Sequence, residues 1–166
     1  KIGFHPGLEY WDGGKSLGKH PAMVCVFSDR NGLPATMHVT YLTANGQKAL
    51  VPSAKKIMPP CRPTTGGAIR LTNIYAEMGI AEGVETALAV MHKFKIPCWA
   101  AATAGMLEKF EPPSQVATLH IFADSDRSFT GQAVAFNLAK RLHREIDCRV
   151  HIPGQIGTDY ADQMGD

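Results

Sequence analysis

The sequence has no Cys-x-x-Cys pair. Its four cysteines, Cys25, Cys61, Cys98 and Cys148, are scattered, which argues against a zinc ribbon within these residues. The apolar neighbours of Cys25, Cys98 and Cys148 suit buried free thiols. No apolar run approaches the length of a membrane span and no signal-peptide pattern opens the chain, so the expected location is the cytoplasm. The seven histidines are dispersed, with no pair at ligand spacing. Net charge is only +2, which by itself implies no nucleic-acid partner. The first residue is Lys1, not Met, as expected of a piece cut from a longer protein. What is present is 166 residues, 45% of them hydrophobic and 19% charged. That suffices to bury a real core in one domain, or in one domain with a small appendage.

The small net charge hides an asymmetry. Residues 1–70 hold nine Lys/Arg against three Asp/Glu, a balance of +6, and residues 71–166 hold eight against twelve, a balance of −4. A phosphate-facing surface beside an acidic metal site has this distribution, and so does a basic face that is merely solvated.

Lys1 to Lys19 is Gly-rich and reads as a loop or short hairpin anchored by Tyr10 and Trp11. Ala22–Phe27 reads as a strand followed by the turn Asp29-Arg30-Asn31-Gly32. Ala35–Thr43 alternates, with Met37, Val39 and Tyr41 on one face. A second turn, Ala44-Asn45-Gly46-Gln47, leads to a third strand at Ala49–Val51, completing a small antiparallel β module. Pro52–Gly67 is rich in Pro and Gly and reads as an irregular connector carrying Lys55, Lys56 and Arg62. Ala68–Leu71, with Arg70, closes the small sheet.

From Asn73 the pattern changes to alternating strands and helices. Strands are expected at Met78–Ala81, Pro97–Ala101, Val116–Ala123 and Cys148–Ile152. Helices are expected at Val84 to about Phe94, Ala104–Phe110 and Phe129 to about Glu145, from apolar residues at i, i+3, i+4 and i+7. Four short strands with helical crossovers predict a parallel sheet with helices on both faces. The expected division is a basic β-rich subdomain over residues 1–72 and an α/β domain over residues 73–166.

The chemistry concentrates at strand ends. Leu119–Phe122 is an apolar run that ends in Asp124-Ser125-Asp126, followed by Arg127, Ser128, Thr130, Gly131 and a helical pattern. Read as a strand, positions i and i+2 point the same way, so Asp124 and Asp126 converge and call for a cation between them. The plainer alternative is a turn in which Asp126 or Ser128 caps the next helix. Gly79–Ala87 repeats the pattern, with Glu82 at the end of a strand, then Gly83 and a helix. Parallel strands present their carboxyl ends at one edge, so Glu82 and the Asp pair are expected to meet there. Asp159-Tyr160-Ala161-Asp162 adds acids past the last strand; the plainer alternative is a helix cap by Asp159 with Asp162 on the surface. Glu85 suits the first turn of its helix through the helix dipole.

One strand-end acid, then an Asp-x-Asp pair about forty residues on, each followed by a helix, resembles the Toprim domain of bacterial-type primases, topoisomerases and some nucleases. Within that family the chain is most similar to primases of phages, plasmids and other mobile elements. Their β-rich region carries pieces like His5-Pro6, Tyr10-Trp11, His20-Pro21-Ala22-Met23, His38-Val39-Thr40-Tyr41-Leu42 and Gly46-x-Lys48.

The resemblance implies a Rossmann-like Toprim sheet behind the β module and a DNA primase fragment making short primers by metal-dependent nucleotidyl transfer. It implies Glu82 as general acid/base. Asp124 and Asp126, with Asp159, would hold Mg²⁺ or Mn²⁺. Gly83 would allow substrate close to the backbone, and Gly131 matches the Gly that follows the Asp pair. Arg127 either braces Asp126 or meets a nucleotide phosphate; Lys55, Lys56, Arg62 and Arg70 would face nucleic acid. The implied partners are a single-stranded DNA template and nucleoside triphosphates. The sequence departs from those primases in having no zinc-binding module before the domain and no helicase motif after it, both expected in the full-length protein. A Toprim nuclease and an inert nucleic-acid-binding module are the alternatives.

Overall fold

The computed structural model describes residues 2–162. Two long strands open the chain, β1 (Ile2–Asp12) and β2 (Lys15–Ser28), where the sequence suggested a loop or short hairpin up to Lys19 and a strand over Ala22–Phe27. Their connection contains Gly13 and Gly14, both at positive φ (53° and 80°), the backbone that a two-residue hairpin turn needs to match strand twist. Tyr10 anchors this hairpin, fully buried and edge-on to Tyr41. Trp11 does not: it is 53% exposed.

The strand β3 (Pro34–Tyr41) pairs with β2, burying Val39 and Tyr41 but leaving Met37 exposed. Ala49–Val51 is not a strand; only an isolated bridge, Leu42 to Lys48, joins that stretch. The fourth strand is β4 (Lys55–Ile57), inside the segment expected to be irregular. Pro52, Pro59 and Pro60 flank it and give the stretch the look of a connector, while its three residues need only an edge to pair with.

The short β5 (Ala68–Ile69) splices the two parts of the chain, running antiparallel to both β2 and β7. Gly67 just before it is obligatory: a Cβ there would lie 2.2 Å from the Ser28 carbonyl oxygen. Then follow β6 (Glu77–Ala81), α1 (Val84–Phe94), β7 (Cys98–Ala100), α2 (Ala104–Glu108), β8 (Thr118–Phe122), α3 (Thr130–Leu142) and β9 (Asp147–His151). The strands β7, β6, β8 and β9 are parallel neighbours, as the alternating pattern predicted. Among the described residues all nine strands form one sheet, β4-β3-β2-β5-β7-β6-β8-β9, with β1 on β2.

Alternation along the central strands gives two cores. Met78, Ile80, Leu119 and Ile121 face α2 and α3 with Val134 and Leu138. The opposite face is shallower, with Ala81, Cys98 and Ala100 under Ala87 and Val90 of α1. Gly79 belongs to this shallow face, since a Cβ there would meet Cys98 Sγ and Phe122 at 3.0 Å. All four cysteines are free thiols, with Cys25 and Cys98 buried. No helix among the described residues is long and apolar enough to cross a membrane.

Because backbone cannot yield at Gly67 without breaking the β2–β5 pairing, Gly67→Ala is expected to cost about 3 kcal/mol, the upper end for overpacking. Chemical denaturation checks this; wild-type stability in the variant would mean that β5 is not held as described.

Candidate functional site

The parallel strands β6 and β8 are direct neighbours, with Ala81 opposite Phe122, so the loops leaving their carboxyl ends lie side by side. Glu82 and Gly83 leave β6 and become the entry to α1. Asp124 and Asp126 leave β8, but not as alternating strand residues, because β8 ends at Phe122. They belong to the loop into α3, where Ser125 between them bridges to Thr158. That bridge folds the Asp159 segment over the loop. The result is a pocket of about 210 Å³ walled by Asp124, Asp126, Asp159 and Asp162.

The acids there are not equivalent. Asp126 caps α3: its Oδ1 accepts from the Ser128 hydroxyl (2.7 Å) and the Thr130 N–H (3.1 Å), and its Oδ2 from the Gly131 N–H (2.8 Å). Those donors, the Ser128 hydroxyl foremost, hold its carboxyl below the usual range. The capping expected as the plainer alternative is therefore present. Gly131 permits it, because a Cβ would lie 2.8 Å from the Asp124 carbonyl. Asp159 is tied as well, accepting from Thr86 Oγ1 (3.0 Å) and from the N–H groups of Ala161 (2.7 Å) and Asp162 (3.0 Å).

Asp124 is the exception. Its Oδ1 is buried with no hydrogen-bond partner. Burial, then the neighbouring charges of Glu82 and Asp159, push its carboxyl from 3.8 up to about 6. Glu82 is also raised, by burial first; Lys55 and the Ala104 N–H oppose the shift, and Asp126 adds to it. Glu82 is further pinned through its carbonyl, which accepts from the N–H of Ala102 (2.8 Å), a residue held at φ 75°. At the mouth of the α3 loop, Phe129 sits at φ 60°. Non-glycine residues at positive φ are uncommon and are retained where the surroundings over-determine them.

The basic residues expected to form one surface are divided by the pleat. Lys55 points to the acid edge, 3.1 Å from both carboxylate oxygens of Glu85, and its charge reaches Glu82 and Asp124. Burial raises the Glu85 carboxyl, but its own backbone N–H and Lys55 outweigh that and leave it low. Lys56 points the other way, over the Tyr10 ring at 4.0 Å, with its ammonium on the Trp11 carbonyl. Arg62 is exposed. Arg70 donates to the carbonyls of Asp29 (3.2 Å) and Arg30 (2.9 Å) and lies over Trp99. Arg127 is exposed beside the acid loop and makes no ion pair with Asp126 among the described residues.

Residues 77–166 match the family described as the Toprim domain. The chain belongs to the Toprim family. Residues 1–71 match a family described as a domain of unknown function (DUF7146). No curated protein matches the sequence. The fold is primase-like, as three solved structures show. The primase fragment of the bacteriophage T7 primase-helicase protein has a TM-score of 0.63 at 17% identity, covering 87% of this chain and 57% of that one. A DNA primase domain from Pseudomonas aeruginosa has a TM-score of 0.59 at 13% identity, covering 95% and 51%. The DnaG primase catalytic domain bound to ssDNA has a TM-score of 0.57 at 10% identity, covering 96% and 53%. The chain thus spans little more than half the length of these structures.

Sequence reasoning missed two features around the Toprim sheet. The ion pair of Lys55 with Glu85 joins residues 30 positions apart. A chain centred on the buried His120 links exposed Glu77 Oε1 to His120 Nε2 (2.7 Å) and His120 Nδ1 to half-buried His151 Nε2 (2.8 Å); the register of β6, β8 and β9 creates it, so no local spacing announces it.

The raised Asp124 carboxyl has a measurable sign. The folded state favours the protonated form between the ordinary 3.8 and about 6, so stability falls as pH rises across that window and stays lowered above it. In EDTA at pH 7.5, Asp124→Asn should therefore be the more stable protein by about 1–2 kcal/mol, a shift of this size discounted for solvent screening. The gap should narrow at pH 4.5. Thermal melts at the two pH values check this, and a variant less stable at pH 7.5 would contradict it.

Proposed function

We propose that the chain is the catalytic part of a DNA primase, joining nucleotides on a single-stranded template by metal-dependent nucleotidyl transfer. The observation that carries the reading is Asp124: a buried carboxylate oxygen without a partner, with the charges of Glu82 and Asp159 near enough to raise it, is costly unless a cation compensates it. The donor set suits a hard divalent ion such as Mg²⁺ or Mn²⁺, which takes oxygen ligands and keeps several waters. Among the described residues no three His, Cys, Asp or Glu side chains are already gathered around one point. An ion that completes its shell with water and substrate phosphate does not require that. Asp124, Asp126 and Asp159 would hold the ion. When bound, it would neutralise charge on the transferring phosphoryl group.

The remaining roles fall to side chains around it. Glu82 exchanges the proton of the attacking hydroxyl, for which a carboxyl raised by burial is suited. Gly83 keeps the approach open by presenting no side chain beside Thr86, Glu85 and Lys55. Lys55 meets phosphate, released from Glu85 as the substrate's charge arrives, and Arg127 guides the strand. Gly131 holds α3 against the acid loop. Arg62 remains available for the template backbone, whereas Lys56 and Arg70 act by bracing the β module. We divide the chain at residues 1–72 and 73–166. A zinc-binding module or a helicase domain elsewhere in the full protein would supply template choice and movement.

The test is incubation with nucleoside triphosphates, single-stranded template and Mg²⁺ or Mn²⁺. Primers are expected; cut strands would instead indicate a nuclease, and neither product an inert module. Glu82→Gln keeps shape and removes the titratable proton, so primer synthesis should fall by about 10²–10⁴-fold with template affinity nearly unchanged. Near-normal synthesis would make Glu82 structural.

A further inference from the structure

A second cavity lies beside the acid edge. Antiparallel register sets Met23, Thr40 and Lys55 in one row across β2, β3 and β4, and Cys25, His38 and Ile57 in the next. Paired residues share a face, and here it is the face toward α1, where Lys55 reaches Glu85. At the first row opens a cavity of about 510 Å³, walled by Met23, Thr40, Leu42, Gln47, Lys48 and Glu85. That size lies within the range of small-molecule pockets.

Two buried polar groups on this face lack partners. Thr40 is 1% exposed and its hydroxyl has no hydrogen bond; one row further in, the same holds for Nδ1 of His38. Buried polar atoms are nearly always paired, and an unpaired one is a cost to the fold. The cavity at Thr40 offers the missing partner a place. Its walls are mixed in a particular way: apolar Met23 and Leu42, with a hydroxyl, an amide, an ammonium and a carboxylate around them. A bare anion would face Glu85, and a hydrocarbon would leave Thr40, Gln47 and Lys48 unpaired. A flat heterocycle with donors and acceptors on its edge satisfies both kinds of wall.

We propose that this cavity is a nucleobase pocket. Resting on the nucleotidyl-transfer reading, it takes the base of a nucleotide whose phosphates lie toward Lys55 and Asp124, on the other side of the Lys55–Glu85 ion pair. Thr40, Gln47 and Lys48 read the base edge.

Free nucleosides test this separately from catalysis, because they carry no phosphate and need no metal. The chain is titrated in EDTA with adenosine, guanosine, cytidine and uridine while backbone amide NMR is recorded, and the same nucleosides within a short oligonucleotide distinguish an incoming base from a strand base. Saturable shifts at Thr40, Leu42, Gln47 and Lys48 are expected with at least one nucleoside. Leu42→Trp, which fills the cavity, should abolish them. Thr40→Val should weaken binding about three- to tenfold while raising the melting temperature, because it removes an unpaired buried hydroxyl. No shift with any nucleoside, or undiminished affinity in Thr40→Val, would overturn the pocket. Primer synthesis without nucleoside binding would overturn the pocket and leave the primase reading; nucleoside binding without primer synthesis would do the reverse.

Discussion

Like charges crowd the carboxyl edge of β6 and β8, and the cost of holding them there shapes the surrounding structure. Asp126 is satisfied by the first turn of α3, which holds its carboxyl low, and Asp159 accepts hydrogen bonds from its own turn and Thr86. Asp124 receives no such help. Its burial beside Glu82 and Asp159 pushes its carboxyl up to about 6, and a positive charge beside it would offset the cost of its ionised form. One glycine makes the crowding possible: Gly131 admits α3 to the loop, where a Cβ would lie 2.8 Å from the Asp124 carbonyl oxygen.

The positive charge that is present comes from the other part of the chain. β4 is three residues long and lies at the edge of the sheet, yet its pairing with β3 aims Lys55 at α1 and Lys56 at Tyr10. The ion pair of Lys55 with Glu85 is partly exposed on both sides, so it adds little stability. Its consequence is positional: a cation stands between the acid edge and the cavity at Thr40, held by strands rather than by a loop. The splice at β5 makes this placement firm, because one continuous sheet carries both the acids and the cation.

Much of this was legible in the sequence. The bounds of α1 follow from its apolar spacing, and the four parallel strands from short apolar runs ending in carboxylates or turns. Local patterns failed where partners decide structure. Ala49–Val51 has strand-like residues but meets no ladder, whereas Lys55–Ile57 lies among prolines and finds one. The convergence of Asp124 and Asp126 was anticipated for the wrong reason: the loop after Phe122 and the bridge from Ser125 to Thr158 bring them together, not strand alternation. The opposition of Lys55 and Lys56, the link from Glu77 through His120 to His151, and the unpaired hydroxyl of Thr40 all arise from register between distant strands.

The primase reading turns on the proposal that Asp124 is completed by a divalent cation. Crystals of the chain soaked in Mn²⁺ and measured by anomalous diffraction test it most directly. A peak is expected at bonding distance from Asp124 Oδ1, about 2.0–2.2 Å as for small octahedral ions, within the pocket shared with Asp126 and Asp159. A well-ordered Asp124 with no peak beside it, or a peak only at other carboxylates, would contradict it.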